Sequence, residues 1–208
     1  MSLPHPVEIA IHSPRRFDRL QLLVRLVIAI ALGFLGVTAG WTACALYLIL
    51  PAVAAAYISA RGPAAYLADV APALGRVIGW LVAFHAYMLM AVDRPQTGDG
   101  AGVRVAIRTG GHPSVPDALL RLVTSLPAAL LLALLLVPAS IFALLGVLTV
   151  LVAGAQAEPL LRYQRMVIGY AGRLAAYHAD LVAEYPSFTS DRAGPGTIDL
   201  AASAGTSA

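Results

Sequence analysis

Few side chains in this sequence are of a type and spacing that could do chemistry. His85 and His178 lie late in two apolar stretches, and a neutral imidazole there could ligate a haem or a chlorophyll-type pigment. Neither has a second ligand four residues away, the spacing at which a helix offers two donors to one metal. A histidine held by a neighbouring carbonyl or headgroup is the simpler reading, so no cofactor and no metal is expected. Cys44 is the only cysteine, which excludes an internal disulfide or thiolate metal site, and it is expected as a small buried hydrophobe. His112 belongs to a loop, and His5 and His12 flank an alternating segment. Gly98 to Gly102 and Thr109-Gly110-Gly111 lack the lysine of a phosphate cradle and read as linkers. No serine, threonine or cysteine has a base and an orienting group at motif spacing. Asp180 and Glu184 share a helix face with Arg173 nearby, which reads as a charged surface. The chain is expected to be non-catalytic.

The elements that carry these residues are written for a bilayer. Hydrophobic residues make up 59% of the chain and charged ones 12%, with mean hydropathy +0.78, against roughly 45–50% and about 25% in soluble domains. Every one of the 14 basic residues is arginine, a usage that points to a GC-rich bacterial genome. A net charge of +3 on scattered arginines does not suggest nucleic acid.

The chain repeats itself. Leu23-Val24-Arg25-Leu26-Val27 returns as Leu119-Leu120-Arg121-Leu122-Val123, an offset of 96 (121 − 25). At the same offset Val7 to His12 answers Val103 to Arg108, and both alternate apolar and polar residues as a half-buried strand does. Lone strands leave backbone donors unpaired, so 7–12 and 103–108 are predicted to pair as a small ribbon, with Glu8 near Arg104 or Arg108.

No charge interrupts Leu26 to Ala60, about 52 Å as one helix against a core of about 30 Å. Two short spans within 17–60, turning near Thr38-Ala39-Gly40 with Trp41 at the far interface, are therefore expected. The copy, 116–156, is expected to turn at Val137-Pro138. Each hairpin is followed by an element, 63–92 and 158–185, read as an amphipathic helix on the membrane surface. Arg15, Arg16, Arg19, Arg25, Arg121, Arg162, Arg165 and Arg173 are assigned as surface anchors, all on one side, the cytoplasmic one. Gly36 and Gly40, and Gly75 and Gly79, have the four-residue spacing that lets helices approach closely, within the chain or onto another membrane protein. Residues 1–97 and 98–189 form the two units, and 190–208 has the composition of a disordered tail.

The chain is similar to a bacterial family of small membrane proteins known only as containing a domain of unknown function. The likeness rests on Pro14-Arg15-Arg16-Phe17-Asp18-Arg19-Leu20, Arg61-Gly62-Pro63, Arg173 to Tyr177 and Glu184-Tyr185-Pro186-Ser187-Phe188. The family unit closes on Asp-Arg-Tyr-Pro-Pro-Phe. Here the first unit keeps Asp93-Arg94-Pro95 without the aromatic, and the second keeps Tyr-Pro-x-Phe with glutamate for aspartate. The resemblance spans 5 to 190 as two copies and implies no activity.

The sequence thus predicts an all-α integral membrane protein of four spans, with both termini cytoplasmic in a bacterial inner membrane and a pseudo-twofold along the membrane normal. The expected role is an accessory or scaffold subunit that packs on a larger membrane complex or on itself. Membrane shaping is the alternative, and a small transporter or a pigment-binding subunit stands lower, the transporter because the spans carry no charge.

Overall fold

The computed structural model describes residues 5–34, 39–96, 102–110 and 112–187. Gly36, the tip of the first expected hairpin, most of the linker and the tail from residue 188 lie outside them, as do the side chains of Gly40 and Trp41. The described chain is mostly helical with one two-stranded sheet. In order come β1 (Val7–Ile11), α1 (Leu20–Phe34), α2 (Ala39–Arg61), α3 (Pro63–Met88, π-helical over Tyr66–Val70), β2 (Val103–Ile107), α4 (Val115–Thr124), α5 (Leu126–Ala153) and α6 (Glu158–His178).

The ribbon forms as the alternation requires. β1 and β2 pair antiparallel, Val7 with Ile107, Ile9 with Val105 and Ile11 with Val103, and Val7, Ile9 and Val103 turn inward. Arg108 bonds Glu8 across the strands.

The second hairpin is not formed. α5 runs unbroken through Pro138, and the break falls earlier, at Ser125. Proline deletes one helical hydrogen bond wherever it stands. Pro138 sits deep in a run of leucines that sustains the helix around it, whereas Pro127 comes just after the end of α4 and deprives Val123 of its donor. At 28 residues, α5 is about 42 Å long. It lies antiparallel along α6: Tyr170 Oη donates to the carbonyl of Ala128 at 3.3 Å, Tyr163 Oη to that of Leu135 at 3.1 Å, and Gly146 faces Gln156. Its far end is tied to the start of α1, where Phe17 N donates to Gly154 O at 2.9 Å. Among the described residues α1 does not pack along α2, which lies against α4 instead.

α3 and α6 cross antiparallel at the centre. Tyr66 near the start of α3 donates to the carbonyl of Ala179 beyond the end of α6, Val82 meets Gly172 midway, and Met90 packs with Leu161 at the other end. α6 ends at His178 rather than near residue 185, because Asp180 takes φ 55 and turns the chain. Two helices, Pro63–Met88 and Leu126–Ala153, are long and apolar enough to cross a membrane. Large side chains stand exposed on α1, α2, α4 and α5, among them Leu134 at 70%, Leu144 at 69% and Val152 at 84%. Cys44 is exposed too, on the outer side of α2, and is not the buried hydrophobe expected.

Candidate functional site: two arginine clasps

Arg25 and Arg121, expected at the lipid surface, are instead turned into the protein. A helix that stops leaves its last carbonyls without donors, and a cation there also meets the negative end of the helix dipole. Arg25 supplies both needs for α3. Its Nε donates to the carbonyl of Tyr87 at 2.9 Å and its Nη2 to that of Val92 at 2.6 Å, with the guanidinium 4.3 Å from the centre of the Tyr87 ring. Arg121 does the same for α6: Nη1 donates to the carbonyls of Tyr177 and, at 2.7 Å, Val182, and the guanidinium lies 4.3 Å from the Tyr177 ring centre. The planar fork can reach two carbonyls while stacking on an aromatic face, which an ammonium cannot.

The turns they hold share their two closing bonds. Met90 N donates to Tyr87 O and Ala91 N to Ala86 O, as Asp180 N does to Tyr177 O and Leu181 N to Ala176 O. Met90 and Asp180 are the two described non-glycine residues at positive φ. The 6→1 bond and left-handed residue make each a Schellman close. The offset here is 90 (177 − 87), so His85 corresponds to Ala175 and not to His178.

Each clasp includes a carboxylate from its turn. Asp93 Oδ1 stands 3.8 Å from Arg25, and its Oδ2 accepts from the backbone of Asp18 at 3.1 Å. Asp180 Oδ1 is 2.6 Å from Arg121 Nη2. Burial pushes the Asp180 carboxyl up to about 6, opposed by Arg121 and helped by the charge of Asp117. Burial also raises Asp93, against the backbone of Asp18 and the charge of Arg25. Asp180 was expected on an exposed charged face with Arg173. Both are buried, and Arg173 Nε donates to Ser187 O at 3.1 Å. A wheel drawn through residue 184 continues a helix that has already ended.

The second clasp has a polar annex. His178 Nδ1 lies 2.8 Å from Ser125 Oγ, its Nε2 meets the carbonyl of Tyr47, and its ring stacks on Tyr47 at 4.3 Å. Both ring nitrogens are thus engaged within the chain, and burial lowers the basicity of the ring. His85 Nδ1 lies 2.7 Å from Leu81 O, the backbone-held state expected of it. Ser125 is buried beneath this cluster and serves the junction of α4 and α5. Among the described residues no group of three or more potential ligands could hold a metal.

The remaining predicted residues are dispersed. Arg15, Arg16, Arg19 and Arg162 are exposed, and Arg165 pairs with Glu158. Gly79 is buried, whereas a β-carbon on Gly75 would meet nothing within 4 Å, so among the described residues Gly75 packs on no helix. Sequence reasoning missed Tyr87 and Tyr177, Val92 and Val182; their shared offset of 90 was the available signal.

The architecture is that of a mostly helical protein with membrane-length apolar helices and an interior fixed by arginine. Residues 116–190, which hold one clasp from Arg121 to Val182, match the family described as Domain of unknown function (DUF4389). Neither the curated proteins nor the solved structures gave a match.

Proposed function

We propose that the chain is a non-catalytic integral membrane scaffold, built from two copies of one unit, that presents apolar helices to a larger membrane complex or to itself. The observation that carries this is α5. It has no charged residue, and only 11% of its most apolar stretch is buried by the rest of the chain. A helix apolar on all sides needs lipid or another helix around it. The buried Arg25, His178 and Asp180 are engaged in internal bonds at helix ends.

The duplication is supported by more than the repeated residues. At an offset of 96, Ile9 corresponds to Val105, and these two pair with each other, while Val7 with Ile107 mirrors Ile11 with Val103. At 90, Val82 corresponds to Gly172, and these too are in contact. Residues that meet their own counterparts mark a twofold axis, here through the centre of the ribbon and the α3–α6 crossing. With that axis along the membrane normal, the ribbon, both clasps and the exposed arginines face the cytoplasm of a bacterial cell, and both termini lie there. α3 and α6 then lie at the surface.

Purification in a gentle detergent followed by mass spectrometry tests the role. A stoichiometric membrane partner, or a defined oligomer of the chain, supports it; a monodisperse monomer without partners contradicts it. Membrane shaping is favoured by one observation: α5 lies along α6 with its end tied back to Phe17. Apolar mass held in one leaflet acts as a wedge. Tubulation of liposomes by the pure protein would select that reading.

A further inference from the structure

The two faces of α5 are sorted by size. Its buried side, toward the rest of the chain, is Ala128, Ala139, Gly146 and Val150. On the outer side Leu130, Val137, Leu144 and Leu151 stand seven residues apart, and Leu134, Ile141 and Leu148 fall four residues after the first three. All seven are between 51% and 70% exposed. Steps of four and three residues are the a and d places of a heptad, sustained here over about 31 Å of helix.

We infer that two copies of the chain pair through this seam, α5 against α5. Exposure by itself fits lipid as well as protein; the size pattern tells them apart. Lipid chains fit around small and large side chains alike, whereas a partner helix needs a large branched group at each a and d place to fill the holes between its own. A period of 3.5 residues also gives the shallow left-handed crossing common among membrane helices. The partner is a second copy because the seam complements itself: a twofold sets the same patch on both chains, and this patch has neither charge nor polar group to oppose its own image. Its exposed area is roughly 800 Å², the share that one partner gives to a standard interface. Ile141 is the middle residue of the seven, so the twofold brings it close to its own counterpart whether the helices run parallel or antiparallel.

The pairing names the partner of the apolar helix in the scaffold reading above and rests on that reading, and the test separates the two. Full-length protein is first extracted with alkaline carbonate; release into the soluble fraction would overturn the membrane reading and this one with it. In a Cys44→Ala background, Ile141→Cys is then oxidised with copper phenanthroline, in native membranes and in dilute phosphatidylcholine vesicles. It should give a disulfide dimer in both, and Leu48→Cys, on α2 and 63% exposed, should give little. Energy transfer between donor- and acceptor-labelled chains, followed as lipid is added, should show the Leu134→Ala/Leu148→Ala variant pairing about tenfold more weakly, at wild-type circular dichroism. Equal dimer from Ile141→Cys and Leu48→Cys, or unchanged energy transfer in the double variant, would overturn the pairing. A native-membrane adduct of Ile141→Cys with another polypeptide in place of the dimer would overturn it too, and would leave the scaffold reading standing.

Discussion

Val82 and Gly172 touch where α3 crosses α6: a β-carbon on residue 172 would stand 3.0 Å from Val82 Cγ2 and nearer still to Ile9 Cδ1. Gly172→Ala should therefore cost stability, about 1–3 kcal/mol of overpacking less what alanine gives back to a helix. Ile9→Val removes the offending methyl and should recover part of the loss. Gly75→Ala, in open space, should stabilise by about 0.5–1 kcal/mol. Denaturation in detergent compares the wild type, the three single variants and the Ile9→Val/Gly172→Ala double variant. Additivity of the Gly172 and Ile9 changes would count against the contact.

Removing either clasp takes the arginine donor from the turn carbonyl, Val92 or Val182, and leaves Tyr87 or Tyr177 O with only its backbone donor. Arg25→Ala and Arg121→Ala should each destabilise by about 2–4 kcal/mol, and lysine should rescue poorly because it cannot fork and stack at once. Exposed Arg162→Ala should change stability by less than about 0.5 kcal/mol. Equal melting temperatures for the three alanine variants would place Arg25 and Arg121 at the lipid surface after all.

Asp180 makes stability depend on pH. Its folded carboxyl keeps the proton to about pH 6, against an ordinary value of 3.8. Folding takes up a proton between the two, so this group's contribution is full below about pH 4 and is lost as the pH rises through 6. Asp180→Asn cannot titrate, so its melting temperature should gain on the wild type between pH 4 and pH 7. Asp93, shifted the same way, adds to the slope of both proteins. Parallel profiles would contradict the shift.

Continuity of α5 through Pro138 is open to a distance measurement. Leu130 and Leu145 are both exposed. Along one helix they lie about 22 Å apart, whereas a turn at Val137-Pro138 would set them side by side at about 10 Å. Spin labels at the two positions, in a Cys44→Ala background, should report the longer separation.

What the sequence made legible was local. The ribbon followed from strict alternation, and the Glu8–Arg108 pair from placing those strands together. Arg25 and Arg121 stood out as a repeated pair but were assigned to the surface, because an arginine beside an apolar run looks the same in sequence whether it snorkels or caps. Their partners are main-chain carbonyls, which leave no mark on residue identity. Asp180 and Arg173 were misplaced because a left-handed residue two positions beyond His178 ends the helix, and periodicity does not foretell it. Pro138 misled because a proline near a helix start and one inside a long apolar helix are spelled alike.

The proposed membrane scaffold requires the ribbon and both clasps to lie on one side of a bilayer, with the leucine faces in it. Single cysteines at Arg16, Thr109, Glu184, Leu134 and Leu144, in a Cys44→Ala background, can be labelled with an impermeant maleimide in right-side-out and inverted vesicles. Positions 16, 109 and 184 should react only in inverted vesicles, and 134 and 144 in neither until detergent is added. Labelling of 109 from the face opposite to 16, or ready labelling of 134 and 144 in intact vesicles of either orientation, would contradict the account.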